Sequence, residues 1–106
     1  MSDVDRAIAA LREHLAAGDP AALGDVGGLY ELRFVGDERR FHLALREGDV
    51  ELRAASGEVA PSRLGLHAED LLDLIAGRVT LAALFQSGRL RVFTDIGQAM
   101  RLERLF

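Results

Sequence analysis

The chain has 106 residues, with 13 basic and 17 acidic side chains and a net charge of −4. An acidic chain without a basic stripe argues against nucleic acid as a partner, and the absence of Cys excludes disulfides, thiolate catalysis and Cys-ligated metals. With 49% hydrophobic residues it is too apolar for a disordered segment, and its length predicts one domain over residues 1–106 with one core.

All 13 basic residues are Arg, which with abundant Ala, Leu and Gly suggests GC-rich coding and a bacterial source. The opening "MSDVDRAIAA" is acidic and periodic, unlike a secretory signal. No apolar run approaches the roughly 18 residues that span a bilayer. The expectation is a soluble, cytoplasmic protein without stable membrane insertion.

Residues 3–17 predict a helix, because Val4, Ile8, Leu11 and Leu15 recur at helical spacing. Asp3 and Asp5 suit its positive end, and Gly18-Asp19-Pro20 stops it. A short turn of helix over residues 21–26 would end at Gly27-Gly28. Three alternating segments follow. "LYELRFV" sets Tyr30, Leu32 and Phe34 against Glu31 and Arg33, and "RFHLALR" sets Phe41, Leu43 and Leu45 against His42, Ala44 and Arg46. "DVELRAA" sets Val50, Leu52 and Ala54 against Glu51 and Arg53. Strict alternation means one buried and one wet face. The links Gly36-Asp37-Glu38 and Glu47-Gly48-Asp49 are short enough for antiparallel hairpins.

"SRLGLH" could form a short edge strand. "HAEDLLDLIAG" is an amphipathic helix with Leu71, Leu72, Leu74 and Ile75 on one face and Glu69, Asp70 and Asp73 opposite, ended by Gly77. Thr80 caps "LAALF"; Gly88 separates that turn from a strand over residues 89–93. The last helix runs over 95–105, with Ile96, Ala99, Met100 and Phe106 on one arc. The pattern defines an α+β fold, an antiparallel sheet covered on one face by helices. Its inner face is expected to hold Leu32, Phe34, Phe41, Leu43, Leu45, Leu52, Leu90 and Val92.

No catalytic constellation stands out. His14, His42 and His67 are far apart in sequence, with His14 on a wet helix face and His42 on a polar strand face. No nucleophile elbow supports a Ser-His-Asp set, and no glycine run sits in a phosphate-loop context. An enzyme is the disfavoured class, and neither a metal nor a cofactor is expected.

The run from Glu69-Asp70-Leu71 through Gly77, Phe85 and Gly88-Arg89-Leu90-Arg91-Val92 to Ala99-Met100-Arg101-Leu102 resembles the sterol carrier protein-2 (SCP2) family over residues 67–106. Three positions depart from that pattern. His67 stands where a helix-capping Ser or Thr is usual, Phe93 where a polar residue is usual, and Thr94 where a Gly usually ends the strand. The chain ends in Arg104-Leu105-Phe106 rather than in a peroxisomal Ser-Lys-Leu signal, which weighs against a peroxisomal reading.

The resemblance implies a five-stranded, mostly antiparallel sheet with helices over an apolar tunnel, and no covalent chemistry. The implied function is noncatalytic binding or carriage of a hydrophobic small molecule: a fatty acid, acyl-CoA, or a sterol-like or polyketide-like lipid. The alternative is a structural or dimerisation module with the same fold and a filled core, and a homodimer is compatible with an exposed Phe93. The expected ligand-binding residues are Phe34, Leu43, Leu52, Leu90 and Val92 on the sheet and Leu72, Ile75, Leu84, Phe85, Ile96 and Met100 on the helices. They would surround a pocket of a few hundred Å³. The last helix, weakened by Gly97, would gate it.

Overall fold

The structure, a computed structural model, describes residues 2–18, 27–46 and 49–106. The helix stop at Asp19-Pro20, the short turn over 21–26 and the Glu47-Gly48 link lie outside the described residues. Helix α1 (Asp3–Ala17) is followed by strands β1 (Gly28–Phe34), β2 (Arg40–Arg46), β3 (Asp49–Ala54) and β4 (Ser62–Leu66). Then come α2 (Ala68–Ile75), α3 (Leu81–Gln86), β5 (Arg91–Val92), α4 (Ile96–Met100) and a 3-10 turn (Arg101–Leu105).

The sheet has five strands in the order β3-β2-β1-β4-β5. Every pairing is antiparallel except β1 with β4. The segment expected at an edge is therefore interior: β4 lies between β1 and β5 and runs parallel to β1. Its own alternation buries Ser62, Leu64 and Leu66, which align with Tyr30, Leu32 and Phe34. Strand β5 is shorter than expected, because Leu90 N–H already bonds back to Leu84 C=O at 3.0 Å. The expected last helix is split into an α-helical and a 3-10 part.

The inner face follows the predicted register. Leu52, Leu43 and Tyr30 form one row, and Phe41, Leu32, Leu64 and Val92 the next. Leu32, Phe34, Phe41, Leu43, Leu45, Leu52 and Leu90 are buried, and Val92 is half-buried. Helix α1 packs on α2, and Val4, Ala7, Ile8 and Leu11 join the same core as the sheet.

The wet face is drier than alternation predicted. Glu31, His42 and Ala44 are buried there, because alternation assigns a face but not how deeply long neighbouring side chains cover it. Asp70, assigned to the outer face of α2, is also buried at 1% exposure.

Helix ends explain where the covering layer turns. Ser2 and Asp5 form a capping box at α1, with Asp5 N–H donating to Ser2 Oγ at 3.1 Å and Ser2 N–H to Asp5 at 3.3 Å. Helices α2 and α3 both end in Schellman turns. Arg78 N–H bonds to Asp73 C=O and Arg89 N–H to Leu84 C=O, each at 2.9 Å. Gly77 and Gly88 occupy the left-handed positions with φ of 75° and 80°, where a Cβ would be strained. Thr80 Oγ1 accepts from Ala83 N–H, and Glu103 Oε2 accepts from Leu81 N–H at 2.8 Å. The C-terminal turn thereby completes the cap of α3.

Candidate functional site

Between the inner sheet face and the helices lies an apolar seam. The cavity in it is about 20 Å³, lined by eleven leucines and Phe106. Leu32, Leu43, Leu64 and Leu66 come from the sheet and Leu90 from the turn before β5. Leu11 comes from α1, Leu71 and Leu74 from α2, Leu81 from α3, and Leu102 and Leu105 from the 3-10 turn. Among the described residues no polar group faces it. It has room for about one water molecule, far less than the pocket of a few hundred Å³ expected here.

Of the expected ligand residues, Leu43 and Leu90 line this cavity. Phe34, Leu52 and Leu84 are buried elsewhere in the same core, and Leu72, Ile75, Phe85, Val92 and Met100 are half-buried and packed against it. Ile96 is at the surface, 48% exposed. Ala99, on the expected arc, is the buried residue of α4, and Leu102 and Leu105 of the 3-10 turn follow it inward. The 3-10 turn begins at Arg101 and so re-aims only the residues after Met100, turning Leu102 and Leu105 inward. Leu11, Leu32, Leu71 and Leu74 are expected on apolar faces but not as lining residues, since a lining Leu and a core Leu carry the same sequence signal.

The closing segment is held by a few polar contacts. Gln98 Nε2 donates to Tyr30 Oη at 3.1 Å and to Gly27 C=O at 3.3 Å, and Tyr30 Oη lies 3.3 Å from Gln98 C=O. Burial pushes the Tyr30 phenol above its ordinary value, against the lowering effect of Gln98. Asp95 caps α4, its Oδ1 accepting from Gly97 N–H at 2.8 Å and Gln98 N–H at 3.3 Å. A Cβ on Gly97 would come within 3.2 Å of that oxygen, so the glycine serves the close cap. At the other end the rings of Phe106 and His14 stack at 5.8 Å, and His14 Nε2 contacts Leu105 C=O. His14 is half-buried rather than on a wet face.

The outward sheet face carries a second polar cluster. Glu31 Oε1 lies 3.2 Å from His42 Nε2, and Arg33 Nε donates to Glu31 Oε2 at 2.7 Å. Burial raises the Glu31 carboxyl, but Arg33 and His42 outweigh it and leave it below its ordinary value. Among the described residues no group of three His, Asp or Glu side chains could hold a metal ion. Among the described residues no helix is long and apolar enough to cross a membrane.

The fold and seam define a class: an α+β protein whose helices close over one apolar face of a five-stranded mixed sheet. Within it the chain belongs to the SCP-2 sterol transfer family, whose model matches residues 8–106. No curated protein sequence matches the chain. Among solved structures it is similar to palmitated SCP2L2 from Aedes aegypti, with a TM-score of 0.74 and 19% identity over 99% of this chain and 94% of that one. It is similar to the ubiquinone synthesis protein UbiJ-SCP2, with a TM-score of 0.70 and 21% identity over 96% of this chain and 86% of that one. It also matches part of the sec-alkylsulfatase Pisa1 from Pseudomonas sp., with a TM-score of 0.71 and 18% identity over 83% of this chain but 14% of the enzyme. At these identities the likeness is one of fold.

Proposed function

We propose that this protein is a noncatalytic binder or carrier of a hydrophobic small molecule, held between the sheet and the helices. An acyl-chain lipid is the class that fits best. The observation that supports this reading is the seam lined only by leucines and Phe106. Each methylene moved into it from water contributes about 0.8 kcal/mol, and no polar partner is required. Leucines change rotamer more freely than β-branched residues, so the seam can widen if the 3-10 turn and Phe106 swing outward. The family description and the palmitated mosquito structure support the same class of ligand. The expected residues Leu43 and Leu90 form its floor; Phe85, Val92 and Met100 border the widened state. We place the protein in the cytoplasm and assign it no cofactor and no nucleic-acid partner.

The small size of the cavity favours a second reading, a structural or dimerisation module with a filled core. Native mass spectrometry of protein purified from cells separates the two. Retained mass in the lipid range, displaced by added fatty acid, is the expected result. Protein that carries no such mass and takes up no fluorescent fatty acid after delipidation is the filled-core module.

A further inference from the structure

On the far side of the sheet from the seam lies an open cleft of about 470 Å³. Its walls include Arg33, Val35, His67, Arg89, Arg91 and Phe93. Three arginines therefore converge on one cleft in a chain whose net charge is −4. The cross-strand register puts Arg40, Arg33, Gly65 and Arg91 in one row. Like charges directly opposite, as in Arg33 and Arg40, destabilise a sheet, and the Glu31 carboxylate, which feels both, offsets part of that cost.

Two of the three arginines are held in place from below. Arg33 is bound through Nε to buried Glu31 at 2.7 Å, and Arg89 Nη2 meets Asp70, 1% exposed, at 2.7 Å and Glu69 at 3.3 Å. The Asp70 contact is an ion pair whose angle falls outside hydrogen-bond geometry, and among the described residues both Asp70 oxygens have no other partner. A buried carboxylate behind a rim arginine fixes the guanidinium and lowers the ordering cost of a ligand. Each fork keeps free N–H groups. Exposed Arg91 has no carboxylate within ion-pair distance among the described residues.

Phe93 completes the cleft. Its ring lies over Gly65, where a Cβ would come within 3.4 Å of it, and Arg33 stands 5.8 Å from its centroid. The ring is nevertheless 51% exposed, and neighbouring Val35 is 60% exposed. Two of the positions that depart from the family pattern, His67 and Phe93, thus meet here. The third, Thr94, accepts from Arg63 N–H at 3.2 Å and fixes the chain behind the ring.

We infer that this cleft is a binding site for an organic phosphate ester. Its phosphoryl oxygens would engage Arg33, Arg89 and Arg91, and an apolar or planar portion would lie against Phe93. Arginine forks match phosphate oxygens in pairs, and the volume is in the range of small-molecule sites. A second copy of the chain fits less well, because an isologous contact would set these arginines against themselves. The ligand source is either a free nucleotide-like phosphate or a lipid headgroup. The inference is independent of carriage in the seam.

The test is calorimetric titration of the full chain with ADP and with inorganic pyrophosphate, beside co-sedimentation with phosphatidylcholine vesicles containing phosphatidylglycerol. Binding of at least one phosphate probe is expected. Arg91→Ala and Phe93→Ala should each weaken it about tenfold, the equivalent of one charge-assisted contact. Arg78→Ala, whose arginine pairs with Asp73 outside the cleft, should leave it unchanged. ADP binding assigns a free ligand, and vesicle binding alone a headgroup. Failure of every probe to bind, or equal binding by wild type and the two cleft variants with folding verified by circular dichroism, overturns the site.

Discussion

Glu31 shows how much a single buried carboxylate can do on a face that alternation assigns to water. It accepts from Arg33 and contacts His42, whose ring is fully buried and whose Nδ1 has no partner among the described residues. Glu31→Ala would leave His42 without a hydrogen-bond partner among the described residues and is expected to cost about 3 kcal/mol, the order for breaking a buried charged contact. Glu31→Gln keeps an acceptor oxygen and should cost about 1 kcal/mol. Urea unfolding at pH 7 measures both, and equal losses would show that the carboxylate is not the organising group. The pH dependence has a definite sign. The folded carboxyl lies below its ordinary 4.5, so its contribution is complete above the unfolded value and is lost as pH falls through the folded one. Asp5 behaves alike. Arg39 and Ser2 hold it at about 2 against an ordinary 3.8, so the tie from α1 to the β1–β2 turn is lost between those values.

At the level of elements, the covering layer is firm at α2 and lightly anchored at α4. Helix α4 reaches the sheet through Ala99 and the Gln98–Tyr30–Gly27 contacts, while Ile96 faces solvent. Tyr30→Phe removes the hydroxyl and leaves the core ring in place. About 1 kcal/mol of anchoring is lost, so amide exchange across α4 should accelerate about fivefold. Fluorescent fatty acid should enter faster in the same variant. Unchanged exchange in α4 would show that Ala99 packing alone holds it.

Which elements could be read in advance follows from where their information lies. Strands β1, β2 and β3 were legible because period-two alternation and short links are local. The interior place of β4 was not, because pairing with β1 joins residues far apart in the chain and leaves no local mark. Thr80 announced a helix start by side-chain type, whereas the change to a 3-10 turn at Arg101 has no such signature. That change brings Leu102 and Leu105 inward beyond Ala99, which the expected arc already held. The seam itself was legible only through family resemblance, and its eleven leucines were indistinguishable from core.

The whole molecule is packed as though its seam were core, and carriage requires that what fills the seam be displaced. Leu102, Leu105 and Phe106 enter the cavity from the last turn of the chain, beyond the final strand. Removing that segment outright would strip two buried leucines, each worth about 2–5 kcal/mol, and the Glu103 cap of α3. A ligand that displaces the segment replaces its apolar contacts, so opening and binding offset one another. Carriage then predicts a stability linkage that a filled core lacks. At free fatty acid about 100 times the dissociation constant, binding adds about 2.7 kcal/mol. For a chain of this length that raises the melting temperature by about 10 °C or more. Delipidated protein should show the shift by scanning calorimetry with a long-chain fatty acid, and a smaller one with a short-chain acid that cannot fill the seam. A melting temperature unaffected by either acid would mean that the leucines are core alone.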